Sequence, residues 1–234
     1  AVAEALRNVV CAGATPLAIT DCLNLGNPER PLGAWQLERT VAGIKAACDA
    51  LGVPVVSGNV SLYNATKGAD IWPTAVIGAV GHLAEVSRRI PVTSGRPGDA
   101  VLLAGSANVR LGTSAYGALN GVHDGPVAID LALEARLQRF VLAAHERGLI
   151  RAAHDRAEGG LGVALFGEAP SGIVLVTDRP DALRALATEH DVPTWTLGTM
   201  GGDLLEVAPV LGMPLASLAQ AHGHGLARAL GRES

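Results

Sequence analysis

Val53-Pro54-Val55-Val56-Ser57-Gly58-Asn59-Val60-Ser61-Leu62-Tyr63-Asn64 is the stretch on which the fold turns. Val53 to Val56 form a short, apolar, β-branched run that reads as a buried strand. Ser57, Gly58, Asn59 and Ser61 follow, offering bare backbone, an amide and two hydroxyls, and read as a polar turn where the strand stops. Ligands of α/β proteins collect outside the carboxyl ends of strands. Gly58 would let the backbone approach a phosphate, Asn59 offers a hard oxygen suited to Mg²⁺, and Ser61 offers a hydroxyl for a substrate oxygen. A loop with good turn chemistry explains the same residue types without a ligand.

The neighbouring segments extend this pattern. Leu17 to Thr20 reads as a short strand leading to Asp21, and residues 24–33, rich in Gly, Pro and Asn, as a loop. Residues 35–51 have helical spacing through Leu37, Val41, Ile44 and Ala47, and Gly52 is placed to end that helix. Residues 71–80 form another strand region, which Pro73 confines to an edge or a bulge. Asp21 and Asn59 would then stand at the ends of neighbouring strands. That placement suits Mg²⁺ bridged to nucleotide phosphates, because such an ion keeps several waters and needs few protein ligands. An Asx turn or a helix cap is the alternative for Asp21.

Farther along, Arg88, Pro91, Gly95, Pro97 and Gly98 interrupt the periodic segments and mark a boundary, dividing the chain into residues 1–87 and 88–234. The second part reads as a strand over 100–104, a helix over 131–148 with Leu133, Leu137, Val141 and Ala144 on one face, and a helix starting at 161–165. A strand over 173–177, a helix over 179–190 and a strand over 194–200 complete it. At the other end, Ala3, Leu6, Val9 and Val10 mark a helix already in progress, with no capping residue ahead of Ala1. The expected architecture is therefore α/β with mixed sheets: two adjacent α/β domains, the first truncated at its N-terminus.

Composition narrows the functional classes. Aromatic residues make up only 3% of the 234, so the core must be built from Ala, Val, Leu and Ile. A net charge of −4 argues against nonspecific nucleic-acid binding, which needs clustered Lys and Arg. No run of roughly 18 apolar residues would span a membrane. No secretion signal is visible. Cys11, Cys22 and Cys48, odd in number and without C-x-x-C spacing, suggest reduced thiols and a cytoplasmic location.

Four segments in order carry a family resemblance: Ala1-Val2-Ala3-Glu4-Ala5-Leu6-Arg7-Asn8, Thr20-Asp21-Cys22-Leu23-Asn24-Leu25-Gly26-Asn27-Pro28-Glu29, the opening stretch, and Ala153-His154-Asp155-Arg156-Ala157-Glu158-Gly159-Gly160-Leu161. Together they resemble the small-type synthase subunit of the phosphoribosylformylglycinamidine synthase family, over nearly the whole chain but only about the last third of such a subunit. The resemblance implies two domains of the aminoimidazole-ribonucleotide-synthase-like superfamily, completed by a missing N-terminal half. It implies a ligase of purine biosynthesis that converts formylglycinamide ribonucleotide to the amidine with ATP and with ammonia from a glutaminase subunit, alongside a small accessory subunit. It assigns Asp21 and Gly58 to ATP, Asn59 to Mg²⁺ and Ser61 to the substrate, and places no catalytic residue in this chain. Asn24, Asn27 and Glu29 would be loop residues close to the site. A noncatalytic half that completes a pseudodimer, and a sister enzyme such as aminoimidazole ribonucleotide synthase, are the alternatives.

The remaining polar groups carry less. His154, Asp155 and Glu158 allow a general base with its orienting group, but a helix N-terminus with acidic residues on its dipole accounts for them better. Arg156-Ala157 stands where the family has Val-Ser, and Leu111-Gly112-Thr113-Ser114-Ala115-Tyr116 departs from a pattern closer to Gly-Gly-Ser-Glu. His222 and His224 alternate near the end of the chain, where a flexible polar tail explains them better than a metal. Cys22 has no His or Asp partner to activate it as a nucleophile.

Overall fold

Two separate sheets organise the chain, and helix α1 (Val2–Cys11) packs against both. The computed structural model describes residues 1–108, 110–112, 114–122, 125, 128–156, 170–207, 209 and 211–229. The first sheet has the order β2 (Val55–Ser61), β1 (Thr15–Asn24), β5 (Thr74–His82). β1 and β2 run parallel, joined by the crossover helix α2 (Pro31–Leu51), while β5 returns antiparallel to β1. Pro31 starts α2 with a preset φ, and Gly52, at φ 70°, ends it in the left-handed conformation. Between β2 and β5 lies a short hairpin, β3 (Ala65–Thr66) and β4 (Ala69–Asp70). Val2, Leu6, Ile19, Ala47, Cys48 and Val53 form the small core where α1 and α2 meet this sheet.

The second sheet has the order β7 (Ala152–Asp155), β8 (Gly172–Thr177), β6 (Ala100–Gly105), β9 (Thr194–Thr199), with every neighbouring pair antiparallel. Helices α4 (Leu131–Glu146) and α5 (Pro180–Glu189) pack on it; the shorter α3 (Ala115–Asn120) precedes α4. Leu137, Phe140 and Val141 of α4 interlock with Ile173, Leu175, Leu183 and Leu186 in the larger core. Asp130 caps α4 by accepting from the Ala132 and Leu133 amides, 2.9 and 3.0 Å away. The hairpin β10 (Leu204–Val207) and β11 (Leu211–Pro214) leads into α6 (Leu215–Ala229).

Several expectations from sequence change. β1 runs on to Asn24 and β2 to Ser61, so Asp21, Ser57, Gly58 and Asn59 lie inside paired strands, not in turns after them. A parallel ladder needs only backbone amides and carbonyls, and an edge strand tolerates polar side chains. For the same reason Val55 and Val56 are exposed, not buried. His154 and Asp155 lie in β7. Glu158, the helix start expected at 161–165 and Thr113 lie outside the described residues. His222 and His224 lie in α6, because an Ala- and Leu-rich segment forms a helix despite its glycines.

Candidate functional site

Alternation of side chains along paired strands divides the four residues assigned to ligands. In the parallel register, Asp21 stands opposite Gly58, Cys22 opposite Asn59 and Asn24 opposite Ser61. Paired residues share a face, so Asp21 and Gly58 lie on one side of the sheet, and Cys22, Asn24, Asn59 and Ser61 on the other. Asp21 joins Leu23, Val41, Ile44, Lys45 and Cys48 around a cavity of about 430 Å³ beside α2. The opposite face is open and also carries Val76 and Val80 of β5, which are 58% and 56% exposed. Asp21 and Asn59 therefore do not aim at one point, as two ligands of a single cation would.

Glycine at position 58 serves its neighbour. A Cβ built there would collide with Asp21 Oδ1, so the absence of a side chain makes room for the carboxylate. This steric task stands beside the role expected from sequence, close approach of the backbone to a phosphate.

On the open face, Cys22 lies between two amides. Asn24 Nδ2 and Asn59 Nδ2 each donate to Cys22 Sγ at 3.7 Å. Using its N–H on sulfur leaves the Asn59 Oδ1 oxygen for a hard cation, and this donor set fits Mg²⁺ as one protein ligand among waters. Among the described residues no three His, Cys, Asp or Glu side chains cluster as a metal site. Cys11, Cys22 and Cys48 are all free, as expected from sequence. Burial pushes the Cys11 thiol up to about 12, with the Asp155 charge adding to the effect, so Cys11 is an inert core residue.

Beyond Asn24 and Ser61, two loops close on each other. The Glu29 amide donates to Asn27 Oδ1 at 2.8 Å, and the Tyr63 hydroxyl donates to Glu29 Oε1 at 3.2 Å. The Glu29 charge raises the tyrosine pKa. Arg30 pairs with Asp70 at 3.2 Å. Sequence reading placed Asn24, Asn27 and Glu29 near the site; the structure pairs Asn24 with Ser61 across β1 and β2 and joins Glu29 to Tyr63. It missed Tyr63, Asn64 and Asp70, whose partners lie 34 to 40 positions away.

The second motif does something else. His154 Nδ1 lies 3.7 Å from Asp155 Oδ1, yet Asp155 is only 2% exposed and faces Arg7 of α1, with Arg7 Nε at 3.9 Å. Arg7 Nη1 also meets the fully buried Glu134 of α4 at 2.9 Å, and Gln138 Nε2 donates to the other Glu134 oxygen at 2.8 Å. Asp155 thus belongs to a buried ion network joining α1 to α4 and β7. Arg156 is buried and donates through Nη2 to the Pro170 carbonyl at 3.2 Å.

Comparison with known proteins places this geometry in a family. Residues 1–83 match the N-terminal domain, and residues 96–232 the C-terminal domain, of AIR synthase related protein. The phosphoribosylformylglycinamidine synthase subunit PurL of Anaeromyxobacter sp. (strain Fw109-5) is 40% identical over all of this chain, which covers 36% of that relative. The subunit PurL of Thermomicrobium roseum is 42% identical over 97% of the chain and 35% of the relative. The chain thus spans about a third of the length of the curated relatives it matches. Among solved structures, T. maritima PurL complexed with ATP superposes with a TM-score of 0.69 at 19% identity, over 93% of this chain and 40% of that one. T. maritima PurL complexed with FGAR gives 0.68 at 20% identity, over 93% and 42%. The hydrogenase maturation protein HypE gives 0.62 at 20% identity, over 84% and 71%, so the fold alone does not choose among activities.

Proposed function

This chain belongs to the AIR synthase related family, and on that premise we propose that it forms part of an ATP-dependent ligase that makes formylglycinamidine ribonucleotide. The likeness to PurL subunits across the whole chain supports this reading, as does the presence of ATP and FGAR in the T. maritima PurL complexes. The observation that carries it is the open face on which Asn59 and Ser61 stand two residues apart on β2, beside Cys22 and Asn24.

In this reading the formylglycinamide oxygen attacks the γ-phosphorus of ATP, and ADP leaves. Ammonia then adds to the carbon of the resulting iminophosphate, and phosphate leaves with the bond electrons, giving the amidine. Asn59 Oδ1 would hold Mg²⁺ in part, and the ion would supply charge neutralisation at the phosphates. Ser61 holds the ribonucleotide, and the backbone at Gly58 lies along the free rim of β2, open to nucleotide. Asp21 contributes to the nucleotide site from the α2 side. The chemistry asks mainly for placement, which suits a site made of strand backbone and short polar side chains.

The site is completed by the part of the synthase that this chain does not contain; ammonia comes from a glutaminase subunit, with a small accessory subunit in the assembly. Residues 1–87 and 88–234 act as the two domains, and the complex works in the cytoplasm. No described helix is long and apolar enough to cross a membrane. The exposed apolar positions on the first sheet also favour a second reading, in which this part contributes chiefly a packing surface to a pseudodimer.

One experiment separates the two readings. The chain is combined with the remaining two thirds of the synthase as a separate polypeptide, and amidine formation from FGAR, ATP and ammonia is measured with and without Asn59→Ala. A loss of roughly a hundredfold is expected, the usual consequence of removing one charge-stabilising contact in the transition state. Full activity of the variant at limiting Mg²⁺ would leave only the packing role.

A further inference from the structure

Asn64 closes the sequence stretch that carries Asn59 and Ser61, yet no ligand role attaches to it. Its side-chain amide donates one proton to the Ser61 carbonyl at 2.8 Å and the other to the Leu25 carbonyl at 3.1 Å. The Leu25 carbonyl also accepts from the Asn64 backbone amide at 3.1 Å, and the Ser61 carbonyl also accepts from the Leu25 amide at 2.9 Å. Both Nδ2 protons are used, and each carbonyl takes two donors, the full capacity of these groups. The Tyr63 amide adds a bond to the Gly26 carbonyl at 2.9 Å, and the Asn64 carbonyl accepts from Ile71 at 3.1 Å.

This knot lies where β1 and β2 stop pairing, one step beyond Asn24 and Ser61. There the ladder must hand over to loops, and a side chain replaces it. Tyr63 takes φ 61°, the left-handed region that a non-glycine residue adopts at a cost. That conformation turns the chain back so that the Asn64 amide reaches both strand ends.

Resting on the functional reading above, we propose that Asn64 is a positioning residue for substrate binding: its amide fixes the Ser61 end of β2 against the Leu25 end of β1 and so sets where the Ser61 hydroxyl meets the ribonucleotide. The residue does not touch substrate; it acts through Ser61. Aspartate has the same shape but lacks both donors, and it would set a carboxylate against two carbonyl oxygens. Alanine removes the donors without adding charge.

The test is a double-mutant cycle in the assembled synthase, made of this chain and the remainder of the enzyme. Asn64→Ala should raise KM for FGAR about tenfold, the scale of one lost hydrogen bond, while kcat and KM for ATP stay within about twofold. Ser61→Ala should raise the same KM, and Asn64→Ala added to Ser61→Ala should raise it no further. Independent, multiplying effects, or equal losses for FGAR and ATP, would overturn the proposal and leave Asn64 a loop stabiliser only. Circular dichroism of each variant checks folding, and Asn64→Ser, which keeps one uncharged donor, carries the same cycle if the alanine variant does not fold. A wild-type assembly that makes no amidine would refute the functional reading itself, a result distinct from additivity in an active enzyme.

Discussion

The two sheets are built from similar short apolar residues but meet water in opposite ways. In β8 every residue of Gly172–Thr177 is buried, and β6 buries four of its six. In β2 no residue is buried, and β5 alternates between exposed and half-buried along its length. In the second sheet the central strands β6 and β8 are covered by α4 and α5, in a core that Val10 and Cys11 of α1 also enter, while β9 is exposed along most of its length. The first has α1 and α2 on one face only, and leaves Val76 and Val80 in water beside the proposed ligand residues. Burial that is near-complete in the central strands of one sheet and one-sided in the other indicates that the chain's stability resides mainly in the core around β6 and β8. The first sheet leaves an apolar face open for the surface proposed above to complete it.

The largest test of that contrast is in the core around β6 and β8. Phe140 is fully buried among Leu137, Ile173 and Leu183. Phe140→Ala should lower the unfolding free energy by about 4 kcal/mol through lost transfer energy and a cavity. Chemical denaturation followed by circular dichroism would measure this. A loss under about 1 kcal/mol would mean that the core is not where the stability lies.

A somewhat smaller effect is expected at the junction. Arg7 stands 8% exposed between the buried carboxylates of Glu134 and Asp155. Arg7→Met should cost roughly 3 kcal/mol, because it strands two acids in a poorly solvated site. Adding Glu134→Gln in the same chain should recover part of that loss. Equal stability of the single and double variants would show that the charges are not coupled across α1 and α4.

Much of this architecture was legible in the sequence because periodicity reports burial. α2, α4, α5 and the strands β6, β8 and β9 stand within a few residues of where spacing and Gly or Pro signals placed them, whereas β7 was not read from the sequence. The polar ends of β1 and β2 were not legible. Strand length there is set by backbone pairing between segments about 37 positions apart, and Asp21, Ser57 and Asn59 have turn-like chemistry. The division of the candidate residues between two faces follows from that pairing, so it too lay outside the reach of local pattern. The role of Asp155 was out of reach for a related reason: its partner, Arg7, lies on the first helix, far away in sequence. The Asn64 knot is invisible to composition because an asparagine after a strand is ordinary turn chemistry until its two carbonyl partners are known.

The smallest energetic effect is expected on the open face, and it is the sharpest test of the comparison. Val76→Thr and Val80→Thr keep β-branched side chains on β5 while adding hydroxyls to positions already more than half exposed. The unfolding free energy of the chain alone should change by no more than about 0.5 kcal/mol, as for exposed sites generally. Association should respond more strongly, because apolar surface on an open sheet face drives it. Analytical ultracentrifugation should find the double variant less self-associated than the wild type. It should also bind the remainder of the synthase more weakly, so that adding that part at a fixed concentration raises the melting temperature less. Core variants such as Phe140→Ala should show the reverse pattern, a large fall in stability with the binding surface intact. Unchanged association of the Val76→Thr/Val80→Thr chain would mean that the open face meets water in the working protein. The first sheet would then be an exposed sheet in its own right, and the proposed nucleotide site would have to be complete without a second surface.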